Sequence, residues 1–478
     1  MQNKLTKYNL NVSISISKGG IYMSNLIIGC DIDGTTVNMS AFNTREGKKF
    51  FKKEPVNPNA YSPKEMYGVS NFREIQFGLY CFNKYCMYEP PMENSVAVNN
   101  ASVECGDEWH SITARKFTTF RNIFGLIYRK MFEKWSTKNG FKFKTIQYCS
   151  EKFSPRDKYL ACKKLNVDVM IDDKPDVALY LAENGIKVLL VDNPYNQEVN
   201  HHNITRVKNW EAIKKEIDQI RLLKEDVSEY KKITKEEKLK LGTAEKVNYI
   251  KEYRNYITKL KVNVKALKNS ETKFKLLYGL TNIPCSIIFK SKIEGKENIP
   301  YQDGFIIASN HLNSYDQFYI SRALGNRQFC GFAASTIKNT IRGKIFKMTD
   351  GVVFIDRTNN ESKEQGEEEL IIKIVHDKIA LIFPEGTRKN KDEEGRKQLQ
   401  LPFKLGTVSI AQKTGTGIIP VSLYYGNKKY LKIGEIQFVN PEDDLVSANK
   451  KLEETISAMT LKSIEEDNGK KLIKKQKR

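Results

Sequence analysis

Short runs of apolar residues, four to eight long, alternate along the chain with longer segments whose apolar positions recur at helical spacing. In the first half the runs are 26-LIIGC-30, 145-TIQYC-149, 167-VDVMI-171 and 187-KVLLV-191. In the second half they are 305-FIIAS-309, 352-VVFI-355, 379-IALIF-383 and 418-IIPVSLYY-425. Continuous apolar strands separated by helices are typical of parallel sheets covered on both faces. The pattern therefore predicts two α/β domains, and it contains no internal repeat.

Two stretches do not follow this strand pattern. Residues 40–105 are rich in aromatic residues and prolines, which favours an inserted helical cap. Residues 210–270 are rich in Lys and Glu, with apolar positions at helical spacing, which favours a helical linker. The predicted organisation is an N-terminal extension, a first domain with its cap, a basic linker with a membrane-docking segment, a second domain and a basic tail. Their limits are 1–22, 23–208 (cap about 40–105), 209–290, 291–465 and 466–478.

Composition indicates the cellular compartment of the protein and the class of partner that it binds. The 478 residues are too many for one ordinary core. Lys and Arg number 79 against 57 Asp and Glu, a net charge of +22, which favours an anionic partner, either nucleic acid or an acidic membrane. The eight cysteines include no C-x-x-C pair, so a reduced, cytoplasmic compartment is expected. Residues 1–22 lack an apolar signal core, and Met23 is an alternative start.

The linker allows two interpretations. Residues 231–268 contain twelve Lys/Arg and four Asp/Glu, and they precede the apolar run 276-LLYGLTNIPCSIIF-289. Fourteen residues with an internal Pro284 are too few to span a bilayer, which takes about 20. The linker is either a solvated helix or a basic collar that docks the adjacent apolar run on an anionic membrane.

Polar residues follow several predicted strands of the first half. Asp31 ends the first strand, with Asp33 and the turn-forming Gly34 close behind, and Asp172 and Asp173 end a later one. Thr113 would end a shorter strand within 111-SITAR-115, and Lys158 would open the helix 157-DKYLACKKL-165. Ligands of open parallel sheets bind beyond the carboxyl ends of the strands. Each residue alone has an ordinary structural explanation, as a cap, a turn or a solvated lysine, but four such elements in order indicate a site.

These elements, with 192-DNPYN-196, resemble the haloacid-dehalogenase-like phosphohydrolases over residues 24–200, and most closely the deoxyribonucleotidase branch. The resemblance implies a Rossmann-like domain with a small helical cap and a Mg²⁺-dependent phosphomonoesterase. It also implies that Asp31 attacks phosphorus and that Asp33 acts as general acid and base. Thr113 and Lys158 would hold phosphoryl oxygens. Asp31, the Asp33 carbonyl and Asp173 would hold the metal.

The second half contains 309-SNHLNSYDQF-318, a histidine and an aspartate with no nucleophile beside them. On a continuous helix His311 and Asp316 would face about 140° apart, at about 100° per residue. We therefore expect His311 to precede the helix, with Asn313 or Ser314 capping its start. The carboxylate could then fix the imidazole tautomer, and a substrate hydroxyl could serve as nucleophile. The alternative is a structural histidine at a helix cap.

Four blocks, 309-SNHLNSYD-316, 351-GVVFIDR-357, 382-IFPEGTR-388 and 418-IIPVSL-423, resemble those of glycerolipid acyltransferases, most closely the 1-acylglycerol-3-phosphate acyltransferases, over residues 290–440. The resemblance implies acyl transfer from acyl-CoA or acyl-carrier protein to 1-acyl-sn-glycerol 3-phosphate, giving phosphatidate. His311 would be the general base and Asp316 its orienting partner. The implied substrate-binding residues are Arg357, Glu385, Gly386, Thr387 and Arg388. The loop 389–401 is longer and more charged than usual, and Pro420 is expected in a turn or at a strand edge.

The sequence thus predicts a bifunctional enzyme, peripheral on the inner face of the cell membrane. Its expected partners are an anionic membrane surface and a lysophospholipid, with an acyl-carrier protein as a further candidate. In one alternative the phosphatase-like domain is an inactive regulatory module. In another it acts on phosphatidate or lysophosphatidate. A nucleic-acid binder is disfavoured, because no aromatic residues sit regularly among the lysines for stacking.

Overall fold

The computed structural model describes residues 25–115, 117–224, 230–233, 235–259, 264–388, 393–394 and 398–476. The predicted extension 1–22, Met23, the last two residues of the predicted tail and part of the loop 389–401 lie outside the described residues. The described strands form two sheets surrounded by helices, so the predicted α/β class is confirmed.

The first sheet has six strands in the order β3-β2-β1-β4-β5-β6. The strands are β1 Ile27–Cys30, β2 Glu108–Thr113, β3 Thr145–Tyr148, β4 Val169–Asp172, β5 Lys187–Val191 and β6 Ile204–Val207. β1 runs parallel to both its neighbours, with Cys30 opposite Ser111 of β2 and Ile171 of β4. The carboxyl ends of β1, β2 and β4 therefore share one edge, where Asp31 and Asp172 lie. The sequence pattern did not predict β6.

Helices alternate along the chain with the strands of this sheet, and some of them belong to a cap region. They are α1 Met39–Phe51, α2 Pro63–Tyr67, α3 Asn71–Asn83, a π-helical turn Lys84–Tyr88, α4 Ser95–Glu104, α5 Ile123–Asn139, α6 Ser154–Leu165, α7 Pro175–Glu183 and α8 Trp210–Leu223. Phe42 and Phe77 pack together in a small aromatic-rich cluster of the cap region. Val98 of α4 instead packs in the cluster that contains Ile28 of β1. The predicted cap range 40–105 thus includes a helix that packs on the sheet.

Most described residues of the predicted linker are helical, although 230–233 and 241–242 are not. Besides α8, it contains α9 Lys235–Lys240, α10 Thr243–Lys259 and α11 Val264–Ile288. The apolar run 276–289 lies almost wholly in α11, which continues through Pro284. Among the described residues, no helix combines the length and the hydropathy that crossing a bilayer requires.

The second sheet has seven strands in the order β10-β9-β11-β8-β12-β13-β7, and β12 and β13 are its antiparallel pair. The strands are β7 Lys292–Glu294, β8 Ile306–Ser309, β9 Phe329–Ala334, β10 Val352–Ile355, β11 Ile379–Ile382, β12 Ile418–Tyr425 and β13 Lys429–Ile433. The helices that follow α11 are α12 Asp316–Leu324, α13 Ile341–Met348, α14 Asn360–Val375, α15 Gly406–Thr414 and α16 Leu445–Gln476. β7, β9 and β13 were not predicted.

The central strands of this sheet are buried on both faces. Ile306 and Ala308 of β8 point into one hydrophobic cluster, whereas Ile307 between them points into another. Such double burial explains why these strands are continuous apolar runs rather than alternating ones.

Pro420 lies in neither a turn nor an edge strand, so both predictions for it were wrong. It sits inside β12, opposite Ala308 of the neighbouring β8. Its carbonyl accepts a hydrogen bond of 2.8 Å from the Gly434 amide, and the ladder with β13 begins one residue later, at Val421. Pro420 thus takes part in the sheet through its carbonyl. The antiparallel ladder begins at Val421, so the missing amide hydrogen of Pro420 leaves no gap in it.

The chain divides into two compact units. The first contains the described residues within 1–111, 129–146 and 168–226, and the second those within 112–128, 147–167 and 227–478. The domain limits expected from the sequence stay a prediction.

Two candidate active sites

His311 and Asp316 meet at the carboxyl end of β8. β8 ends at Ser309 and α12 begins at Asp316, so His311 precedes the helix as the spacing predicts. His311 Nδ1 lies 2.8 Å from Asp316 Oδ2. A carboxylate only accepts hydrogen bonds, so Nδ1 carries the hydrogen and Nε2 is the nitrogen that can take a proton. The arrangement orients an imidazole as a base.

The Asp316 carboxylate is fully buried and collects further donors. Its Oδ2 also accepts the backbone amides of Leu312, at 2.7 Å, and Asn313, at 3.0 Å. Hydrogen bonds to a carboxylate favour its charged form and fix its position. Asp316 therefore holds both the imidazole and the loop that carries it.

The predicted cap of α12 was wrong. The N-cap residue is Tyr315, whose side chain makes no capping bond, rather than Asn313 or Ser314. Asn313 Oδ1 instead accepts the Tyr315 amide at 2.7 Å, one residue before the helix. Asp316 already accepts two amides of this loop, so the loop is ordered without a side-chain cap.

Tyr425, the last residue of β12, is a member of this site that sequence reasoning missed. Its hydroxyl donates a hydrogen bond of 2.8 Å to Asp316 Oδ1, the carboxylate oxygen that does not contact His311. Burial, and then the charge of Asp316, raise the pKa of Tyr425, which stays protonated as a donor. The partners are 109 positions apart, so no local spacing signals their contact.

Two residues of the third block fix the histidine. The His311 ring stacks on Phe383, with centroids 4.0 Å apart and planes 16° from parallel. Glu385 is buried and its Oε1 accepts the His311 amide at 3.3 Å. Glu385, expected among the substrate-binding residues, thus contacts the backbone of the catalytic loop. Glu385 therefore helps to position His311, and its predicted role in substrate binding stays a prediction.

Positively charged side chains lie close to the turn at Gly386. Arg357 Nη1 donates to the Gly386 carbonyl at 2.9 Å. Gly386 has φ +71°, which favours glycine, and a Cβ on it would lie 2.9 Å from Lys404 Nζ, so the lysine lies directly over the turn. Thr387 is partly exposed and Arg388 is exposed, one residue further along the turn. Lys404, which the sequence did not single out, adds a second cation beside Arg357.

At the carboxyl edge of the first sheet, three buried carboxylates converge. Asp31, Asp172 and Asp173 each offer an oxygen within 4.8 Å of the others. Asp172, which was not among the predicted metal ligands, belongs to this group, although its Oδ1 also accepts the Lys174 amide at 3.0 Å. Like charges at such distances repel unless a cation or protons neutralise them. Three oxygen donors in one place suit a hard cation such as Mg²⁺.

The Asp173 carboxylate is held from two sides. Thr35 donates its hydroxyl to Oδ1 at 3.0 Å, and Tyr195 of the 192–196 motif donates to Oδ2. Gly34 has φ +87°, and a Cβ there would overlap the carboxylate, so glycine is required. Burial, and then the Asp173 charge, raise the pKa of Tyr195, which keeps it a donor. The 192–196 motif thus orients Asp173, one of the three clustered aspartates.

The Asp33 side chain faces the cap region rather than this cluster. Its Oδ1 accepts the hydroxyl of Tyr85 at 2.9 Å, and Tyr85 lies in the π-helical turn Lys84–Tyr88. The metal contact expected of Asp33 is through its backbone carbonyl, and that contact and the proton-transfer role of its carboxylate stay predictions. Tyr85 was not predicted as a site residue.

Thr113 and Lys158 are both buried. Thr113 ends β2, and its hydroxyl makes no hydrogen bond with any described residue. Lys158 does not open its helix as predicted, because α6 begins four residues earlier, at Ser154. A hydroxyl without an internal partner at a strand end is suited to a ligand oxygen.

Residues 290–424 match the family model described as Acyltransferase. They form an acyltransferase domain. The chain is 32% identical over 143 residues to a 1-acyl-sn-glycerol-3-phosphate acyltransferase of Borreliella burgdorferi, covering 29% of this chain and 53% of that protein. A crystal structure of the lysophosphatidate acyltransferase PlsC from Thermotoga maritima covers 46% of this chain and 90% of its own, with 24% identity and a TM-score of 0.33.

A second region accompanies the acyltransferase domain. The chain is 34% identical over 85 residues to a nucleotidase of Clostridium acetobutylicum, covering 16% of this chain and 44% of that protein. The chain therefore spans about half the length of these curated relatives. It joins an acyltransferase domain to a domain with nucleotidase relatives, the fusion that its motifs predicted.

Proposed function

We propose that the acyltransferase domain moves a fatty acyl group from a thioester, acyl-CoA or acyl-carrier protein, to the hydroxyl of 1-acyl-sn-glycerol 3-phosphate. The observation that carries the proposal is the His311–Asp316 contact beside a turn rich in cations. His311 Nε2 takes the proton of the acceptor hydroxyl while its oxygen attacks the thioester carbonyl. The new ester forms, the C–S bond breaks, and the proton passes from the imidazolium to the departing thiolate.

Asp316 acts through His311. Its buried charge stabilises the imidazolium that forms during attack, and its amide donors keep the carboxylate from turning away. Tyr425 shares this task from the other carboxylate oxygen.

The cations at the Gly386 turn suit the acceptor phosphate. Arg357 offers a planar guanidinium, and Lys404 adds a point charge next to Gly386. A phosphate held there would place the glycerol hydroxyl within the same loop cluster as His311, because Glu385 of the turn contacts the His311 amide.

A His311→Ala variant tests this proposal. General-base catalysis contributes about 10²–10⁴-fold, so phosphatidate formation from lysophosphatidate and acyl-CoA should fall by that factor. The variant should still fold, because Asp316 keeps the Leu312 and Asn313 amides and the Tyr425 hydroxyl as donors. His202→Ala, an exposed histidine of the first domain, is the matched control and should keep full activity. Wild-type turnover in His311→Ala would remove the histidine from the mechanism.

We propose that the first domain is a Mg²⁺-dependent phosphomonoesterase. Asp31, Asp172 and Asp173 would hold the cation, which would offset phosphoryl charge when bound. Asp31 attacks phosphorus and the ester oxygen leaves, protonated by Asp33, whose carboxylate Tyr85 steadies. Water then cleaves the acyl phosphate with Asp33 as base. Thr113 and Lys158 would bind the phosphoryl oxygens. The nucleotidase relative supports small phosphomonoesters, nucleotides included, as substrates.

An Asp31→Asn variant separates the metal from the chemistry. It should reduce phosphate release from nucleoside monophosphates to the uncatalysed rate while leaving acyl transfer intact. Mg²⁺ binds the folded state, so it should raise the Tm of wild type and EDTA should cancel that shift. Asp31→Asn should show a smaller shift, since one of three carboxylates is lost. Equal Mg²⁺ shifts in both proteins would exclude the carboxylate cluster as the cation site.

We propose that the chain docks on the inner, anionic face of the cell membrane through α11. Leu276, Leu280, Ile283 and Ile287 follow at helical spacing and are 67–73% exposed. At the end of α11, Phe289 stacks on Phe318 of α12, with centroids 4.9 Å apart. The docking helix thus ends beside the helix that begins with Asp316.

A second apolar face supports the same surface. Ile341, Ile345 and Met348 of α13 are exposed at helical spacing. Arg342 of this helix donates to the Ser314 carbonyl at 2.9 Å, within the loop that carries His311. A bilayer reached by α11 and α13 would present a lysophospholipid next to the catalytic loop.

A further inference from the structure

The start of α5 carries an exposed apolar face that neither catalytic proposal uses. Ile123, Phe124 and Ile127 are 67, 62 and 46% exposed, and Phe120 just before the helix is also exposed. Ile123 and Ile127 are four positions apart and Phe124 and Ile127 three apart, so these three side chains share one side of the helix. Further along the same helix Phe132 and Trp135 are each 1% exposed. The helix is thus well packed, and the exposed face is confined to its first turns.

Local geometry keeps Phe120 on this face. The chain before α5 folds back so far that a Cβ on Gly125 would overlap the Phe120 carbonyl, so this position requires glycine. Asn122 closes the turn, its Oδ1 accepting the Gly125 amide at 3.1 Å. The ring of Phe120 also contacts that of Phe117, with centroids 5.4 Å apart. These four apolar side chains form one surface patch, which we call the α5 patch: Phe120, Ile123, Phe124 and Ile127.

Charge identifies what covers the patch. α5 contains four Lys/Arg and one Glu. Lys130 and Lys134 are exposed and lie at i+7 and i+11 from Ile123, so they continue the same stripe beyond the apolar turns. A stripe that is apolar at one end and cationic at the other matches a bilayer, whose acyl region lies beneath anionic headgroups. We propose that the α5 patch inserts into an anionic lipid surface, with Lys130 and Lys134 at headgroup level.

A second copy of the chain is a poorer occupant. In a two-fold contact centred on the patch, each apolar face would cover its image, but the apolar patch offers no anionic group to Lys130 and Lys134. A bilayer with anionic headgroups satisfies both the apolar face and the lysines.

The test is flotation of the full chain with vesicles of phosphatidylglycerol and phosphatidylcholine. Leu280→Gln and Ile287→Gln are present in every protein, so that α11 contributes little. Adding Ile123→Ser, Phe124→Ser and Ile127→Ser should lower the vesicle-bound to free ratio at least tenfold. Adding Lys130→Gln and Lys134→Gln instead should lower it on phosphatidylglycerol vesicles and leave binding to pure phosphatidylcholine unchanged. All proteins should release phosphate from a soluble nucleoside monophosphate at the unmodified rate.

A matched control comes from α3. Phe72, Ile75 and Leu79 also form an exposed apolar face, but residues 62–89 carry three Lys/Arg and three Asp/Glu. Replacing these three residues by serine should leave flotation unchanged. The proposal fails if the α5 serine variant floats like its parent, or if the α3 variant loses as much binding. It also fails if the α5 substitutions convert a dimer to a monomer without changing flotation, because a second copy would then cover the patch.

Discussion

At the scale of single residues, the proposed base His311 depends on the Tyr425 hydroxyl, which lies outside the sequence motifs of the site. Tyr425 donates to Asp316 Oδ1, the carboxylate oxygen that does not contact His311. A hydrogen bond to a charged group contributes about 1.5–3 kcal/mol, so Tyr425→Phe should lower kcat for acyl transfer by about 10- to 100-fold. KM for lysophosphatidate should stay constant, because the phosphate contacts are intact. Steady-state kinetics with varied acceptor measure both quantities.

Tyr424→Phe is the matched control for this prediction. Tyr424 precedes Tyr425 in β12 and so points to the opposite face of the sheet, where its ring lies near Tyr430. Its loss should leave kcat unchanged. If Tyr425→Phe raised KM and spared kcat, Tyr425 would be a substrate contact rather than a partner of Asp316.

At the scale of helices and strands, sequence patterns predicted what is locally encoded. Runs of β-branched residues such as 352–355 and 418–425 became strands with the predicted limits. β9 was missed because its small residues give no β signal. They are small for packing: a Cβ on Gly331 would lie 2.5 Å from the Leu381 carbonyl of the adjacent strand. β13 was missed because its lysines resemble a surface loop.

The same limit applies to the sites. His311 and Asp316 are five residues apart, so helix geometry alone could place them. Lys404 and Tyr195 contact Gly386 and Asp173 only through the fold, and no spacing links them in the sequence.

The exposed face of α11 gives a prediction for this element. Leu280→Gln with Ile287→Gln removes two large apolar side chains, each worth about 1.5–3 kcal/mol when buried. Partition onto phosphatidylglycerol vesicles should fall about tenfold or more, as measured by flotation. The free energy of unfolding should shift by no more than about 0.5 kcal/mol per site, since both side chains are exposed. Val446→Gln with Leu461→Gln, exposed on α16, should leave partition unchanged, and a loss there would contradict a specific α11 contact.

At the scale of the whole molecule, the net charge of +22 and the exposed apolar faces bind a membrane in different ways. Charge attraction acts over the Debye length, which falls from about 10 Å at 0.1 M salt to about 3 Å at 1 M. Insertion of apolar side chains does not weaken with salt. Binding of wild type to phosphatidylglycerol vesicles should therefore fall steeply with NaCl but level off at a residual value. The Leu280→Gln, Ile287→Gln protein should bind more weakly at low salt and should lose most of the residual binding at high salt. Wild-type binding that ignores NaCl, or that vanishes entirely at about 1 M, would show that only one of the two forces operates.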